Sequence, residues 1–343
     1  MIRTMKPNPA IRAQILQQAS EVMQMKHMAL TTERDYCGWI GRFYDFCCDL
    51  PKDLAAEAKM EAFLTHLAVV RDVSASTQNG AFHAIRFLYV QVIKRALDVA
   101  KVNALRATRP EQVRHAPSVE DTLALLRDVR DEAGYPANLV VRMLYGSGLR
   151  VSEPLNLRIK DVRFERRELI LKAGKNSKDR VVRLPEAVIP ELQQQIRHAR
   201  RVWQQDVQDG IPVTLPHQLA RKYPEYQFAW PWAFVFPMHK TCKHPRTGAT
   251  VRWRMMTNIV QKAVKYSRRR LGIQVVPHEL RHAYATHCLD RGVNLKALQE
   301  AMGHAQIETT AGYCHAEALS VASPLDTIAA TTAPNILPFQ HAA

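Results

Sequence analysis

The chain has 343 residues, of which 47% are hydrophobic, and its formal net charge is +16. This length suits two domains better than one, and the hydrophobic content is enough for a buried core in each. So large an excess of positive charge favours a polyanionic partner, because cations that neutralise phosphates release condensed counterions. The sequence has no apolar run long enough to span a membrane and no signal peptide. The six cysteines form no CxxC pair, so we expect free thiols in a cytoplasmic protein without a membrane partner.

The first hundred residues predict a bundle of amphipathic helices. Apolar side chains recur at helical spacing in four stretches between residues 9 and 97, and the fourth stretch covers residues 81–97. Thr31 and Ser74 have the short polar side chains that cap helix N-termini. We therefore expect residues 1–101 to form an all-helical domain.

A basic segment at residues 102–117 separates this bundle from the rest of the chain. It lacks helical periodicity and contains two prolines, which disfavour a continuous helix, so we predict an extended linker. Residues 1–107 carry 14 Lys and Arg against 10 Asp and Glu, a net +4, which leaves +12 for the remainder. The stronger attraction for a polyanion is thus expected in the second domain, which begins at Ser118, a candidate N-cap.

The second domain, residues 118–330, is predicted to combine helices with one small antiparallel sheet. β-Forming residues at 168–172 and 180–184 flank a turn at 174–177, which predicts a β-hairpin. The predicted helices lie near residues 138–145, from Val151 after a Gly-Ser-Gly break, and at 186–208, 256–270 and 278–290. Residues 331–343 are expected to form a loose tail. The predicted fold class is therefore mainly α, with a four-helix bundle followed by an α+β domain.

Residues suited to phosphoryl transfer lie in four separated segments of the second domain. They are Arg150 after the glycine break, Lys175 at the hairpin tip, His278 and Arg281 three residues apart on one helical face, and, near the C-terminus, His304 and Tyr313. Singly, each has a plainer explanation, such as a helix salt bridge between Arg150 and Glu153. Their combination in this order favours a catalytic site.

Cleavage of a phosphodiester without a metal needs a nucleophile, donors for the charge on the non-bridging oxygens and an acid for the leaving oxygen. The planar fork of arginine pairs with two phosphate oxygens and stays charged. Histidine donates hydrogen bonds or moves protons near neutral pH, and a lysine ammonium can protonate a departing oxygen. A tyrosine nucleophile forms a phosphotyrosyl ester that preserves the bond energy, so rejoining needs no ATP.

The motifs that contain these residues resemble those of the tyrosine recombinases, also called phage-type integrases. They are LYGSGLRVSEPL at residues 144–155, HELRHAYATHCL at 278–289, and the MGH and TTAGYCH sequences at 302–304 and 309–315. The match covers about residues 140–325. Pro154, Met302, Gly312 and Cys314 depart from common choices in the family, but none of these departures removes a charged or nucleophilic group.

The resemblance implies a DNA-cutting and rejoining enzyme without a metal or cofactor. It implies that Tyr313 is the nucleophile and forms a 3′-phosphotyrosyl intermediate, that Lys175 is the general acid, and that Glu153 supports the site. It implies that the transition state is stabilised by four residues, Arg150, His278, Arg281 and His304. It also implies that the N-terminal bundle closes a clamp on DNA, that a homotetramer acts on two DNA sites, and that residues 316–330 dock on a neighbouring protomer.

An unusual aromatic segment lies between the hairpin and His278. Seven of the fourteen residues from Tyr223 to Phe236 are aromatic, and rings alternate strictly from Tyr226 onwards, although only 7% of the whole chain is aromatic. An ordinary strand or an extended segment that packs its rings on the core is the favoured interpretation for most of them. The alternative is that one or two rings stack on bases extruded from a helix, where each stack contributes about 1–3 kcal/mol.

This segment, about residues 209–255, resembles the insertion that distinguishes integron integrases from Xer-type recombinases. The resemblance implies insertion and excision of gene cassettes, whose sites recombine as folded single strands with unpaired bases. Where that family carries a histidine pair, this chain has Trp253 and Arg254, so base recognition is expected to persist with altered preference or to be lost. The candidate DNA-contacting residues are Trp230, Trp232, Arg252, Trp253 and Arg254.

Two other functions stay open at this point. The chain could be a phage, transposon or Xer-like recombinase that acts on duplex sites, or a DNA-binding protein without catalysis, although the intact set of catalytic residues argues against the latter. His239, Cys242 and His244 are close in sequence, but three candidate ligands without an obvious fourth form a weak zinc signal. We therefore predict no metal site.

Overall fold

The structure is a computed structural model that describes residues 7–98, 116–172, 179–216 and 219–303. The chain divides into two compact units, Met1–Val113 and Arg114–Ala343. Most of the predicted linker lies outside the described residues, as do Lys175, His304, Tyr313, residues 316–330 and the predicted tail. No helix in the described part of the chain is long and apolar enough to cross a bilayer.

The N-terminal unit consists of four helices around one apolar core, as its periodicity predicts. They are α1 (Pro9–Met25), α2 (Leu30–Cys47), α3 (Ala56–Thr65) and α4 (Ala75–Phe87), and α3 and α4 each continue into a π-helical turn, His66–Val70 and Leu88–Val92. The core includes Met23, Ile40, Met60 and Ile85, one from each helix, all fully buried.

Two N-cap predictions for this unit have different outcomes. Ser74 caps α4, because its hydroxyl accepts the backbone N–H of Thr77, as predicted. Thr31 is not a cap: it lies in the first turn of α2, whose N-cap is Ala29. The Ala29 side chain has no acceptor, so α2 begins without a side-chain cap.

The second unit surrounds a three-stranded antiparallel sheet with helices. The strands are β1 (Val162–Arg163), β2 (Glu168–Leu171) and β3 (Arg180–Arg183) in the order β1-β2-β3, with Leu169 opposite Val182 and Ile170 opposite Val181. Leu169, Leu171 and Val182 are buried, whereas Val181 is exposed. The predicted hairpin is therefore confirmed, and β1 is an additional short strand that the sequence pattern does not reveal.

The described helices of this unit include all those predicted, together with two short ones that were not. The helices are α5 (Val119–Asp128), α6 (Ala137–Ser147), α7 (Ser152–Asn156), α8 (Ile189–Gln208), α9 (Leu219–Lys222), α10 (Thr257–Leu271), α11 (Pro277–Asp290) and α12 (Leu295–Met302), of which α9 and α12 were not predicted. Ser118 caps α5 through a hydrogen bond from the backbone N–H of Asp121, as predicted. Helix α6 is the central element of the core, since Val140, Val141, Met143 and Leu144 are all fully buried.

The aromatic segment is not the strand that the alternating rings predict. It forms two 3-10 turns, Pro224–Gln227 and Trp230–Trp232, each with a proline in its first turn, followed by a buried stretch at residues 233–237. Proline lacks a backbone N–H and fixes φ, so Pro224 and Pro231 favour turns over a sheet ladder. Only the last two rings, Phe234 and Phe236, are buried in the core. A two-stranded ribbon, β4 (Cys242–Lys243) and β5 (Thr250–Val251), follows.

Candidate active site

Arg150 is positioned by a glycine that ends α6. Gly148 adopts φ +62° at the C-cap, and a Cβ on this residue would lie 2.4 Å from Cδ1 of Tyr284 on α11. Only glycine satisfies both demands without strain, since the left-handed conformation disfavours a side chain and the ring leaves no room for one. Helix α6 therefore stops beneath Tyr284, and the exposed Arg150 follows at the start of the next turn.

Glu153 orients Arg150 and joins it to a second arginine. Its Oε1 accepts a hydrogen bond from Nη1 of Arg150 at 3.0 Å, and its Oε2 accepts one from the backbone N–H of Arg150 at 2.8 Å. Oε2 also accepts a bond from Nη2 of Arg180 at 2.8 Å. One carboxylate thus holds both the main chain and the side chain of Arg150.

Arg281 connects two segments of the site from within the core. Its side chain is almost completely buried, with 2% exposure. Nη1 donates to the carbonyl of Gly148 at 2.6 Å, and Nη2 donates to the carbonyl of Met302 at 2.5 Å. The first bond holds the turn before Arg150, and the second holds the C-terminus of α12, just before His304. Hydrogen bonds from a charged group are about twice as strong as neutral ones, so Arg281 links these segments firmly.

His278 lies one turn before Arg281, in the first turn of α11, and its side chain is exposed. Its ring meets that of His282 edge to face, with centroids 4.7 Å apart. It also borders a pocket of about 420 Å³ whose wall includes the basic side chains Lys265, Arg268 and Arg269 of α10. The described part of the site therefore presents Arg150 and His278 to solvent, beside a positively charged surface.

Arg180, which the sequence analysis does not single out, belongs to this group. It lies on β3, and besides its ion pair with Glu153 its Nε donates to the carbonyl of Ala301 at 2.9 Å. One sequence signal could have found it. Residues two apart on a strand share a face, so Arg180 points to the same side as the buried Val182. An arginine on the inward face of a strand needs partners.

Tyr284 is the tyrosine that the described part of the site holds next to the Gly148 turn. Burial raises its pKa to about 12, so its phenol stays protonated at neutral pH. Its ring packs against Gly148, and its side chain is half-buried, whereas that of Arg150 is exposed. Its environment therefore suits packing and does not activate it as a nucleophile.

The structure overturns one of the predicted DNA contacts. Arg252 is 8% exposed, and its guanidinium forms a two-pronged ion pair with the buried Asp206 of α8, Nε to Oδ2 at 2.7 Å and Nη2 to Oδ1 at 2.5 Å. Nη1 donates to the carbonyls of Met238 and His239, each at 2.9 Å. Arg252 thus stabilises the insertion from within, and we do not consider it a DNA-contacting residue.

A second buried arginine fastens the same insertion. Arg158 donates from Nη1 to the carbonyl of Trp232 at 2.8 Å and from Nη2 to the carbonyl of Thr214 at 2.7 Å, and its guanidinium lies 3.6 Å from the centroid of the Phe234 ring. Burial lowers the pKa of Arg158 to about 10, which still leaves it charged at neutral pH. The main chain of the insertion is therefore attached to the rest of the second unit, which is called the catalytic unit below.

The two tryptophans of the Trp-Pro-Trp turn have different surroundings. Trp230 packs against Trp203 of α8, with centroids 5.3 Å apart, and Arg200 lies 6.0 Å from its centroid. Trp230 is half-buried, and one side of its ring is occupied by this contact with α8. Trp232 instead stacks on Tyr226 at 5.4 Å and 22°, and Tyr226 stacks on Tyr223 at 4.9 Å and 19°.

Lysine ammonium groups lie against both end rings of this three-ring stack. Lys160 Nζ is 3.0 Å from the Trp232 centroid, and Lys222 Nζ is 5.2 Å from the Tyr223 centroid. Cations are attracted to ring faces, so these contacts favour the stack. The result is a half-buried aromatic surface with positive charge at each end.

The remaining two candidates follow β5. Trp253 is half-buried, with the ring of His244 tilted against it at 5.7 Å. Arg254 is also half-buried; desolvation lowers its pKa, and its Nη1 donates to the carbonyl of Met255 at 3.2 Å. His239 stacks face to face on Tyr135, with centroids 3.8 Å apart. Within the described residues no three His, Cys, Asp or Glu side chains are grouped to hold a metal ion.

Comparison with known proteins decides the family. Residues 117–319 match the model of the phage integrase family, and residues 15–99 match that of the phage integrase N-terminal SAM-like domain. The chain belongs to the phage integrase family. It is therefore a tyrosine recombinase, an enzyme that cleaves and rejoins DNA.

Relatives of this tyrosine recombinase include an integrase/recombinase from Escherichia coli, 35% identical over 332 residues, which cover 94% of this chain and 96% of the relative. One from Pseudomonas aeruginosa matches with the same values. Tyrosine recombinase XerA from Pyrococcus furiosus is 32% identical over 230 residues, or 66% of this chain and 68% of XerA.

Solved structures of other recombinases share the fold of this one. The Tn1549 transposon integrase in complex with circular intermediate DNA has a TM-score of 0.57 at 17% identity, covering 92% of this chain and 98% of that chain. A lambda integrase dimer bound to a core site also has a TM-score of 0.57, at 13% identity and with 88% and 76% coverage. These likenesses agree with the predicted fold class of a helical N-terminal domain and an α+β catalytic domain.

Proposed function

We propose that this tyrosine recombinase is of the integron integrase type, inserting and excising gene cassettes at sites that include folded single strands. The observation that carries the proposal is the insertion at about residues 209–255, which two buried arginines attach to the catalytic unit and which presents stacked rings and cations. The span matched by the E. coli relative includes this insertion. A segment with only a structural role would not need lysine side chains against both ends of its aromatic stack.

The proposed chemistry uses the six residues that the sequence selects. The Tyr313 phenol gives its proton to a histidine of the site and its oxygen attacks the scissile phosphorus. The bond to the 5′ oxygen breaks and Lys175 protonates that oxygen, leaving a 3′-phosphotyrosyl ester. The same steps in reverse rejoin the strand without ATP. Arg150, His278 and His304 would hold the non-bridging oxygens. Arg281 is proposed to join them, and in the absence of DNA its two Nη groups donate to the carbonyls of Gly148 and Met302. The orientation of Arg150 by Glu153 and the exposure of His278 support this arrangement.

Trapping of the covalent intermediate tests the nucleophile. The crossover site is first identified as the sequence that the wild-type protein captures covalently from a pool of randomised duplexes. The test substrate is a duplex with this site and a nick beside the cleavage position, so that the released fragment diffuses away. Wild-type protein should accumulate a protein–DNA adduct, and Tyr313→Phe should form none. Tyr284→Phe is the matched control, since its phenol is buried, and it should still form the adduct. Adduct formation by Tyr313→Phe would reject the assignment.

The insertion is proposed to contact extrahelical bases through Trp253 and Trp232. A base that stacks on Trp232 would take the place of Lys160 against that ring, and the displaced ammonium would then lie close enough to pair with the nucleotide phosphate. Trp253 offers a half-buried ring beside Arg254, whose guanidinium can pair with phosphate or with the O6 and N7 edge of guanine. Stacking of an unpaired base contributes about 1–3 kcal/mol, which predicts a loss of about 5- to 150-fold in affinity when the ring is removed.

Two DNA molecules of the same sequence separate the integron type from a duplex-specific recombinase. One is a hairpin with two unpaired bases, and the other is the fully paired duplex. Trp253→Ala should weaken binding to the bulged hairpin more than binding to the duplex, as measured by fluorescence anisotropy. Trp230→Ala is the control, because Trp230 packs on α8, so it should affect both DNA molecules equally. Equal losses for Trp253→Ala would favour a phage, transposon or Xer-like recombinase that acts on duplex sites.

The proposed assembly is a homotetramer on two DNA sites, in which residues 316–330 dock on a neighbouring protomer. Mass photometry of the protein with a two-site DNA should show four chains per complex. Truncation after residue 315 should leave one-site binding intact but abolish the four-chain species. A full-length protein that never exceeds two chains on this DNA would reject the tetramer.

A further inference from the structure

Hydrogen bonds of two arginines and one glutamate form a closed connection around the described part of the active site. Arg281 joins the carbonyls of Gly148 and Met302, and Arg180 joins the carbonyl of Ala301 to Glu153. Glu153 completes the connection by holding Arg150, two residues after Gly148. Segments that are far apart in sequence, namely the α6–α7 turn, β3, α11 and the end of α12, are thereby tied to one another.

Arg180 is the member of this connection with no place in the proposed chemistry. Its side chain is only 12% exposed, and that of Glu153 is 15% exposed, so the ion pair between them at 2.8 Å is largely shielded from water. By contrast, 44% of the Arg150 side chain is exposed. Arg180 therefore faces inward as a support, whereas Arg150 faces outward, where a phosphate can reach it.

We propose that Arg180 is a positioning residue for the recombinase reaction, acting at the same time on Arg150 and on the segment that enters His304. It acts on Arg150 through Glu153, whose second oxygen it holds in place. It acts on the C-terminus of α12 through Ala301, while Arg281 holds the next carbonyl, Met302, from the other side. The C-terminal end of a helix carries partial negative charge, which favours two cationic donors there. This inference rests on the proposed catalytic roles of Arg150 and Tyr313.

Gly303 fits the same arrangement. It follows α12 with φ +64°, and a Cβ on it would lie 2.9 Å from Cδ and 3.1 Å from Nη1 of Arg180. Any larger residue would push the guanidinium away from Ala301 and Glu153. Gly272 provides a matched control, because it also caps a helix C-terminus, with φ +70°, but a Cβ there would meet nothing within 4 Å.

The test separates cleavage from binding. The rate of adduct formation on the nicked duplex is measured at saturating protein, the Kd for the same duplex by anisotropy, and stability by urea unfolding. Arg180→Ala should slow adduct formation by roughly 100-fold, the effect of a displacement of about 1 Å at a reacting centre. The Kd should stay at the wild-type value. Arg180→Lys keeps the charge but not the planar fork, so its rate should be intermediate.

Two further comparisons make the proposal specific. Arg180 acts partly through Glu153 and partly through the carbonyl of Ala301. The double variant Arg180→Ala, Glu153→Gln should therefore cleave almost as fast as the slower single variant. Any further loss should be no larger than the loss from removing the hydrogen bond to Ala301. Gly303→Ala should reproduce the slow cleavage of Arg180→Ala, whereas Gly272→Ala, with the same backbone strain, should cleave at the wild-type rate. Rate losses that simply multiply in the double variant would overturn the connection through Glu153.

Other outcomes overturn the proposal in distinct ways. A wild-type rate for Arg180→Ala at saturating DNA would remove its positioning role. A weaker Kd with an unchanged saturated rate would make Arg180 a DNA contact instead. A slow rate accompanied by an equal fall in the folded fraction would make it merely structural. Failure of the proposed nucleophile is recognised separately, because Tyr313→Phe would then still form the adduct in the background with wild-type Arg180.

Discussion

Replacement of Gly148 by alanine tests how the turn before Arg150 is built. Two penalties combine at this position. The left-handed backbone with φ +62° is unfavourable for a residue with a Cβ by roughly 1–2 kcal/mol. The Cβ would also lie 2.4 Å from Cδ1 and 2.6 Å from Cε1 of the Tyr284 ring, and forcing extra atoms into a packed site costs about 1–3 kcal/mol. Gly148→Ala should therefore lower the free energy of unfolding of the catalytic unit by about 2–5 kcal/mol.

Tryptophan fluorescence during urea unfolding measures this loss in the right unit, because four of the five tryptophans lie in the catalytic unit and only Trp39 lies in the N-terminal unit. Gly272→Ala is the control, since it has the backbone penalty alone and should lose about 1–2 kcal/mol. In a Tyr284→Leu background, which removes the aromatic edge, the extra loss from Gly148→Ala should shrink. If Gly148→Ala and Gly272→Ala are equally destabilised, contact with Tyr284 is not what requires glycine at this turn.

Three further predictions follow from the contacts described. Arg252→Met should lower the free energy of unfolding of the catalytic unit by about 3–5 kcal/mol, because it leaves Asp206 buried without its partner. A variant of normal stability that lost only DNA affinity would contradict this prediction. Iodoacetamide at pH 8 should alkylate Cys47 more slowly than the exposed Cys242. Burial raises the pKa of Cys47 to about 11, so its thiol stays protonated until the pH nears that value. Equal alkylation rates of the two cysteines in peptide mass mapping would refute this prediction. Ser118→Ala removes the acceptor for the N–H of Asp121 and should destabilise the catalytic unit by about 1 kcal/mol in urea unfolding, a loss that Ser118→Asp should restore.

Periodicity was sufficient to predict most of the architecture. The four N-terminal helices, the β2–β3 hairpin and the long helices α8, α10 and α11 repeat apolar residues over enough turns or strand positions to be recognised. Strand β1 has two residues and α12 has eight, so neither contains enough repeats to stand out from irregular segments. The alternating rings misled the prediction, because alternation is also compatible with successive proline-initiated turns.

The motifs around the proposed reacting groups were recognisable from the sequence, whereas the side chains that hold those motifs together were not. Arg150, His278 and Arg281 lie in recognisable motifs, and the structure ties the segments around them together. Which polar side chains are internal was not predictable, because it depends on partners distant in sequence. Arg252 meets Asp206 across 46 residues, and only packing shows that its charge is directed inward. The strand position of Arg180 marks it as facing inward, but its partner Glu153, 27 residues away, was not predictable.

The attachment of the aromatic insertion has a consequence for how this recombinase can change over evolution. Arg158 holds the segment from outside by the carbonyl oxygens of Thr214 and Trp232, and Arg252, within the segment, donates to those of Met238 and His239 while pairing with Asp206 of α8. A carbonyl is supplied by every amino acid, so mutations at those four positions leave the anchoring acceptors in place. Exposed side chains of the insertion are therefore free to diversify while its frame stays fixed to the catalytic unit. Under the proposed function, point mutations of these exposed side chains would change the DNA preference while the fold stays the same.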